Sequence, residues 1–245
     1  MVAEQLEPMP TEWTRALAVV AHPDDIEYGT AAAVAVWTDA GREVSYLLAT
    51  RGEAGIDGIP PEESAELRER EQRASAAVVG ASTVRFLDHH DGVIEYGTAL
   101  RRDLAAAIRE HRPELLITIN HHDTWGARAW NTPDHRAVGR AALDAAGDSG
   151  NRWIFPDLAD NGLVPWDGVR WVAVAGSPQP THAVDVTDGF ERGVSSLLEH
   201  RAYIEGLTDT SPETYARNVL ESITGGGAAP QFGGRPALAF ELFPR

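Results

Sequence analysis

The chain is 245 residues long and 43% hydrophobic, enough for one large domain that buries its own core without staples. Its 21 basic residues are all arginine and face 37 acidic ones, a formal net charge of −16 that repels nucleic-acid phosphates and anionic lipid surfaces. The absence of cysteine excludes disulfides and thiolate chemistry, and the absence of lysine excludes a Schiff base or a lysine general base.

The first 15 residues carry acids where a secretory leader carries basic residues, and no apolar run of about 18 residues follows. A cytoplasmic protein without membrane contact is expected. Residues 16–21 (ALAVVA) form a short apolar run, as expected of a strand covered on both faces. A helix over 31–40 stops at Gly41, a second strand covers 43–50, and a glycine-bearing loop covers 51–61. The charged, amphipathic stretch 62–80 predicts a long helix with Gly80 at its C-terminus. A third strand at 83–87, a helix at 99–111, a fourth strand at 115–119 and a helix at 134–146 follow. In the second half, strands are predicted at 171–175, 183–186 and 237–242, one helix at 189–207, and a glycine-rich loop at 225–234. Strands alternating with helices predict an α/β fold with a Rossmann-like, mostly parallel sheet flanked by helices. Residues 1–245 read as a single domain, with that core at about 14–150 and a smaller, irregular β-containing C-terminal cap at about 151–245.

Open α/β sheets bind ligands at the carboxyl ends of their strands. There the first strand runs into His22-Pro23-Asp24-Asp25-Ile26-Glu27. His22 and Asp25, three apart, can converge on one metal ion, leaving Asp24 to face its water. The fourth strand leads to His121-His122-Asp123-Thr124-Trp125 and then to Asn131-Thr132-Pro133-Asp134-His135. Asp134 and His135 open a helix as Asp24 and Asp25 do. The two openings, facing each other across the point where strand order reverses, would assemble His22, Asp25 and His135. Three protein ligands and a water are the signature of catalytic zinc and of metal-assisted hydrolysis. No G-x-G-x-x-G follows the first strand, which disfavours a nucleotide-binding oxidoreductase.

These residues resemble the LmbE-like, PIG-L-type N-acetylglucosaminyl deacetylases, which include the glucosaminyl-inositol and glucosaminyl-malate deacetylases of mycothiol and bacillithiol synthesis. The A-H-P-D-D-x-E signature stands at Ala21–Glu27, the P-D-H-x-A element at Pro133–Ala137 and the T-x-G-E-x-G loop at Thr50–Gly55. Arg68 and Glu71 match the R-x-x-E helix, Asp91-Gly92 the turn after the third strand, and 184–187 with His200 a weaker C-terminal pattern. The resemblance spans residues 14 to 205. It implies removal of an N-acetyl or other N-acyl group from an amino sugar or its conjugate. The cofactor would be Zn2+ or another divalent metal held by His22, Asp25 and His135, with Asp24 as general base for the metal's water. It implies that Arg68 orients substrate and that Asp91 touches a sugar hydroxyl. The partner is then a small amino-sugar substrate, and a homo-oligomer is possible.

One departure stands out. The family reads H-P-D-H, its first histidine holding the oxyanion and braced by the aspartate, where this chain has Thr132. Losing such a donor typically slows turnover about 10²–10³-fold. Asp134, carried over as catalytic, loses its expected partner, and His121, His122 and Asn131 are candidates to replace the donor beside Thr132. The alternatives left open are an amidase for a larger acyl conjugate and a sugar- or metal-binding protein with weakened catalysis.

Overall fold

The computed structural model describes residues 5–126 and 128–245. The chain runs β1 (Glu7–Pro8), β2 (Arg15–Val20), α1 (Ala31–Asp39), β3 (Glu43–Leu48), α2 (Pro61–Val78), β4 (Thr83–Phe86), α3 (Thr98–His111) and β5 (Leu115–Ile119). It continues through α4 (Pro133–Asp148), α5 (Pro156–Asp160), β6 (Trp171–Ala175), β7 (His182–Asp185), α6 (Phe190–Leu198), α7 (Arg201–Leu207), α8 (Pro212–Thr224) and β8 (Ala237–Pro244). All eight strands lie in one sheet, in the order β1-β7-β8-β6-β5-β2-β3-β4. From β4 to β6 every neighbouring pair is parallel, and β8 runs antiparallel between β6 and β7. The C-terminal strands therefore extend the sheet of the core rather than building a separate one.

Period-two alternation gives the sheet two buried faces. Ala16, Ala18 and Val20 of β2, Val44, Tyr46 and Leu48 of β3, and Leu115, Ile117 and Ile119 of β5 share one apolar layer with α1, α6 and α8. Leu17 and Val19, Leu47 and Leu116 point the other way, onto Leu100, Leu104 and Ile108 of α3 and Val138 and Ala141 of α4. Each buried valine, leucine or isoleucine among them contributes about 1.5–3 kcal/mol, so a shift of register by one residue is strongly opposed.

The predicted helix over 189–207 is two helices. Phe190–Leu198 ends at Glu199, and His200, with φ −81 and ψ 43, turns wholly into the interior before α7 begins. Helix α8 escaped the sequence reading. Its signals are an N-cap Ser211 whose Oγ accepts the Thr214 N–H, Pro212 in the first turn, and buried Ala216, Leu220 and Thr224 four apart. Among the described residues, no helix is long and apolar enough to cross a membrane.

For the site, the decisive feature is the reversal of strand order between β2 and β5. From β2 the chain builds outward to β3 and β4, and from β5 in the opposite direction to β6. The carboxyl ends of β2 and β5 thus flank the crevice in which such sheets bind ligands.

Candidate active site

Beyond β2 the backbone does not enter a helix at once. Residues 21–30 form turns, and within them Asp24 adopts φ +88, a left-handed conformation costly for any residue but glycine. Long-range contacts hold it there. The Asp24 N–H donates to Gln72 Oε1 at 2.9 Å, and Arg68 Nη2 reaches Asp24 Oδ2 at 3.1 Å and the Pro23 carbonyl at 2.7 Å. Both partners come from α2. The Arg68 guanidinium also donates to the Gly52 carbonyl at 2.9 Å and lies 4.1 Å from the Tyr203 ring centroid. A Cβ at Gly55 would fall 2.2 Å from Arg68 Nη1, so only glycine lets the loop close over this cation. Asp25 turns the other way. Its Oδ2 accepts the N–H groups of Ala21 and His22 at 3.0 and 2.8 Å, which fixes the carboxylate at the end of the strand.

Across the crevice, Thr132 is the N-cap of α4, its Oγ1 accepting the His135 N–H at 3.3 Å, and Pro133 starts the first turn. Buried Asn131 donates from Nδ2 to the carbonyls of Asn120 and His122 at 2.7 and 2.9 Å. That fixes its amide orientation, and its Oδ1 accepts from His135 Nδ1 at 3.2 Å. On His22, Nε2 faces Asp134 Oδ2 at 3.0 Å and Asp91 Oδ1 at 3.1 Å. Ionised carboxylates only accept, so the ring proton sits on Nε2.

Both histidines therefore present a lone pair to the same point. His22 Nδ1 and His135 Nε2 are 3.3 Å apart, His135 Nε2 is 3.0 Å from Asp25 Oδ1, and His22 Nδ1 is 3.6 Å from Asp25 Oδ2. Ligands on a tetrahedral ion with bonds of about 2.0–2.1 Å stand about 3.3 Å apart, so this set of two imidazoles and one carboxylate fits zinc. The charges agree. Burial alone would push His22 down, but hydrogen bonds to Asp134, Asp25 and Asp91 hold it well above its ordinary value. Burial would raise Asp25, yet His135 and His22 keep it well below the usual carboxylate range. The cluster draws positive charge, a proton or a metal. Asp24 is pushed up to about 6, by burial opposed by Arg68 and aided by the Asp25 charge.

Of the residues expected from sequence, His22, Asp24, Asp25, Arg68, Asp91, Thr132 and His135 all line one cleft of about 560 Å³. Asp134 lies just behind it, 1% exposed, and accepts the N–H groups of Gly92 and Ile94 at 2.7 and 3.0 Å besides facing His22. It is not without a partner; its partner is a proposed metal ligand. Arg68 places its two terminal nitrogens on Asp24 and on the carbonyls of Pro23 and Gly52. None of the replacements suggested for the oxyanion histidine reaches the cleft. Asn131 is fully engaged, and His122 turns away to Glu241, 2.7 Å distant, with His121 stacked on it. Trp125 also lines the cleft, edge-on to His135 with ring centroids 5.5 Å apart.

Several contributors escaped sequence reasoning. Tyr28 and Tyr203 form part of the wall. Gln72 bridges the Asp24 amide to Glu27, its Nε2 donating to Glu27 Oε1 at 3.1 Å. Glu27 is 0% exposed because α1 begins only at Ala31; it meets Ser75 Oγ at 2.5 Å and His200 Nε2 at 3.5 Å. Glu71 accepts the Ala202 N–H at 2.7 Å, tying α2 to α7.

Known proteins share this arrangement of elements. The chain is 27% identical to a diacetylchitobiose deacetylase of Thermococcus kodakarensis over 193 residues, 77% of this chain and 69% of that protein. It is 33% identical to a 1D-myo-inositol 2-acetamido-2-deoxy-alpha-D-glucopyranoside deacetylase of Kineococcus radiotolerans over 204 residues, 68% of this chain but only 53% of that one. The fold matches the solved N,N'-diacetylchitobiose deacetylase of Pyrococcus horikoshii with a TM-score of 0.83 at 23% identity, covering 95% of this chain and 85% of that one. Residues 17–146 match the family described as PIG-L, GlcNAc-PI de-N-acetylase. Those residues run from β2 to α4 and hold both strand ends and all three candidate ligands, so the chain belongs to the PIG-L family of de-N-acetylases.

Proposed function

We propose that this protein hydrolyses the N-acetyl amide of an amino-sugar conjugate in a zinc-dependent reaction, releasing the free amine and acetate. The observation that carries the reading is the pair of imidazole lone pairs, His22 Nδ1 and His135 Nε2, aimed at one point beside Asp25 with each ring's remaining N–H anchored elsewhere. Bound there by His22, Asp25 and His135, zinc would supply Lewis-acid polarisation of the amide carbonyl and lower the pKa of water to about 7.

The chain's own residues do the rest. Asp24 keeps Oδ2 on Arg68 and leaves Oδ1 free at the cleft, where it takes the proton of the attacking water and returns it to the departing nitrogen. A carboxyl raised to about 6 suits both halves of that transfer near neutral pH. Arg68 is a positioning residue for Asp24, and Asp134 with Asp91 positions His22. Thr132 and Tyr203 present hydroxyls to the cleft that can donate to the developing oxyanion in place of the missing imidazole. The rigid face of Trp125 and the rings of Tyr28 and Tyr203 offer the apolar surface on which a sugar ring settles.

The test is acetate release from a panel of N-acetylglucosaminides differing in aglycone, with matching appearance of primary amine. Activity should vanish on chelation and return with Zn2+. A zinc-loaded protein that deacetylates no member of the panel would overturn the assignment.

A further inference from the structure

A second cluster of metal-ligating side chains stands outside the cleft. Beyond β5, His121 and His122 meet Glu241 of β8, and one ligand atom from each lies within 4.8 Å of the other two. None of the three lines the active-site cleft. Glu241 is 8% exposed and engaged through a single oxygen: its Oε2 accepts from Ser177 Oγ at 2.7 Å and faces His122 Nε2, also at 2.7 Å. The two imidazoles stack with centroids 4.2 Å apart and planes inclined by 32°. His121 Nδ1 is buried and has no hydrogen-bond partner among the described residues. A ligand on that nitrogen would supply the partner it lacks.

We propose that His121, His122 and Glu241 bind a second divalent cation of the zinc type, with Ser177 fixing the carboxylate. Two imidazoles and a carboxylate are an established zinc donor set, and the partial exposure of both histidines leaves room for water at the fourth position. Ligands on such an ion stand about 3.3 Å apart, so the 2.7 Å contact between His122 and Glu241 must open by about half an ångström or pass to the other carboxylate oxygen. The ion would clamp β8 to the segment that leads from β5 to α4. That segment also orients the first site: the His122 carbonyl accepts from Asn131 Nδ2, and Asn131 Oδ1 holds His135 Nδ1. The second cation is thus placed to stiffen the support of a catalytic-site ligand without touching substrate.

The experiment is a Zn2+ titration of the chelator-stripped full chain, with bound metal counted directly and Co2+ spectra recorded in parallel. Wild type should bind two equivalents. His22→Ala/His135→Ala should lose one and keep the other, and in that background zinc should still raise the melting temperature. Glu241→Gln, which preserves shape and the Ser177 contact, and His121→Gln should each weaken the remaining equivalent at least tenfold. The inference is overturned if wild type binds a single equivalent that His22→Ala/His135→Ala abolishes. It is equally overturned if Glu241→Gln and His121→Gln both leave the second equivalent's affinity unchanged. The two pairs of variants remove different equivalents, so failure at this site is distinct from failure of the catalytic assignment.

Discussion

Replacing Asp134 by asparagine separates two roles that a carboxylate at this position could play. Its Oδ2 takes both the Gly92 N–H and the His22 Nε2 proton, and its Oδ1 takes the Ile94 N–H. An asparagine has one acceptor and one donor end, so whichever way it turns a backbone N–H meets an NH2 group. With the side chain 1% exposed, no water relieves this, and about 1–3 kcal/mol of stability should be lost. If the amide nitrogen faces His22, the imidazole must accept at Nε2 and carry its proton on Nδ1, where the metal should sit. Losing such an orienting partner usually lowers metal affinity about 10–100-fold. Asp91 Oδ1, 3.1 Å from the same nitrogen, still favours the correct tautomer, which points to the lower end, about tenfold.

Competition against a calibrated chelator gives the zinc affinity, and steady-state rates at saturating zinc give kcat. Expected are an affinity loss of about tenfold, a larger loss in Asp91→Asn/Asp134→Asn, and a kcat that largely recovers when zinc is saturating. An unchanged zinc affinity with a deep fall in kcat would refute the reasoning. Asp134 would then act on the reacting groups rather than through His22.

Three further outcomes follow from neighbouring contacts. Asp24→Asn removes the proton acceptor but no metal ligand, so kcat should fall by about 10² or more with zinc content unchanged by direct metal analysis. Thr132→His restores an imidazole to the wall of the cleft; kcat should rise, by as much as about 10²-fold if oxyanion stabilisation limits turnover, with up to about 1 kcal/mol lost with the N-cap, and an unchanged or lower kcat argues that other donors already hold the oxyanion. His200 is pulled down by burial and raised further by Glu27 at 3.5 Å, so its folded value lies above the ordinary 6.5. Its contribution is therefore complete below about pH 6.5 and lost as pH rises through the folded value, so the stability gap between wild type and His200→Gln, from urea unfolding, should narrow as pH rises above about 6.5. A gap that widens with pH contradicts the pairing with Glu27.

How much of this the sequence carried depends on where each group's partner lies along the chain. His22, Asp25 and His135 were legible as candidates because the first two stand just past the end of β2 and the third opens the helix that follows β5, and strand order brings those ends together. Gln72 was not. Nothing in a glutamine on a charged helix says that it accepts the N–H of a residue 48 positions earlier, and that contact exists only because Asp24 adopts a left-handed backbone. Arg68 was legible as a site residue but not in its task, since a guanidinium facing a cleft and one facing a buried carboxylate look alike in sequence. The interior position of Glu27 was not legible for a plainer reason: a run of turns separates β2 from α1, and it carries Glu27 inward rather than onto a helix surface. The C-terminal strands showed the correct period, but pairing between β8 and β6 or β7 is antiparallel and non-local, and period fixes neither partner nor direction.

The same contacts divide the site into two mechanically separate halves. The half that carries the proposed metal ligands is built from the ends of β2 and β5, where backbone amides fix Asp25, Asp134 and Asp91 fix His22, and Asn131 fixes His135. The half that carries the proposed general base is built from α2, which grips Asp24 by backbone and side chain through Gln72 and Arg68, and which is anchored in turn to α7 through Glu71 and to the buried Glu27. Asp24 and Asp25 are adjacent in sequence yet belong to different halves, and the left-handed turn at Asp24 aims the two carboxylates in different directions. Under the proposed function, that turn is what lets one dipeptide hold a cation with one carboxylate and keep the other, raised to about 6, free to carry a proton.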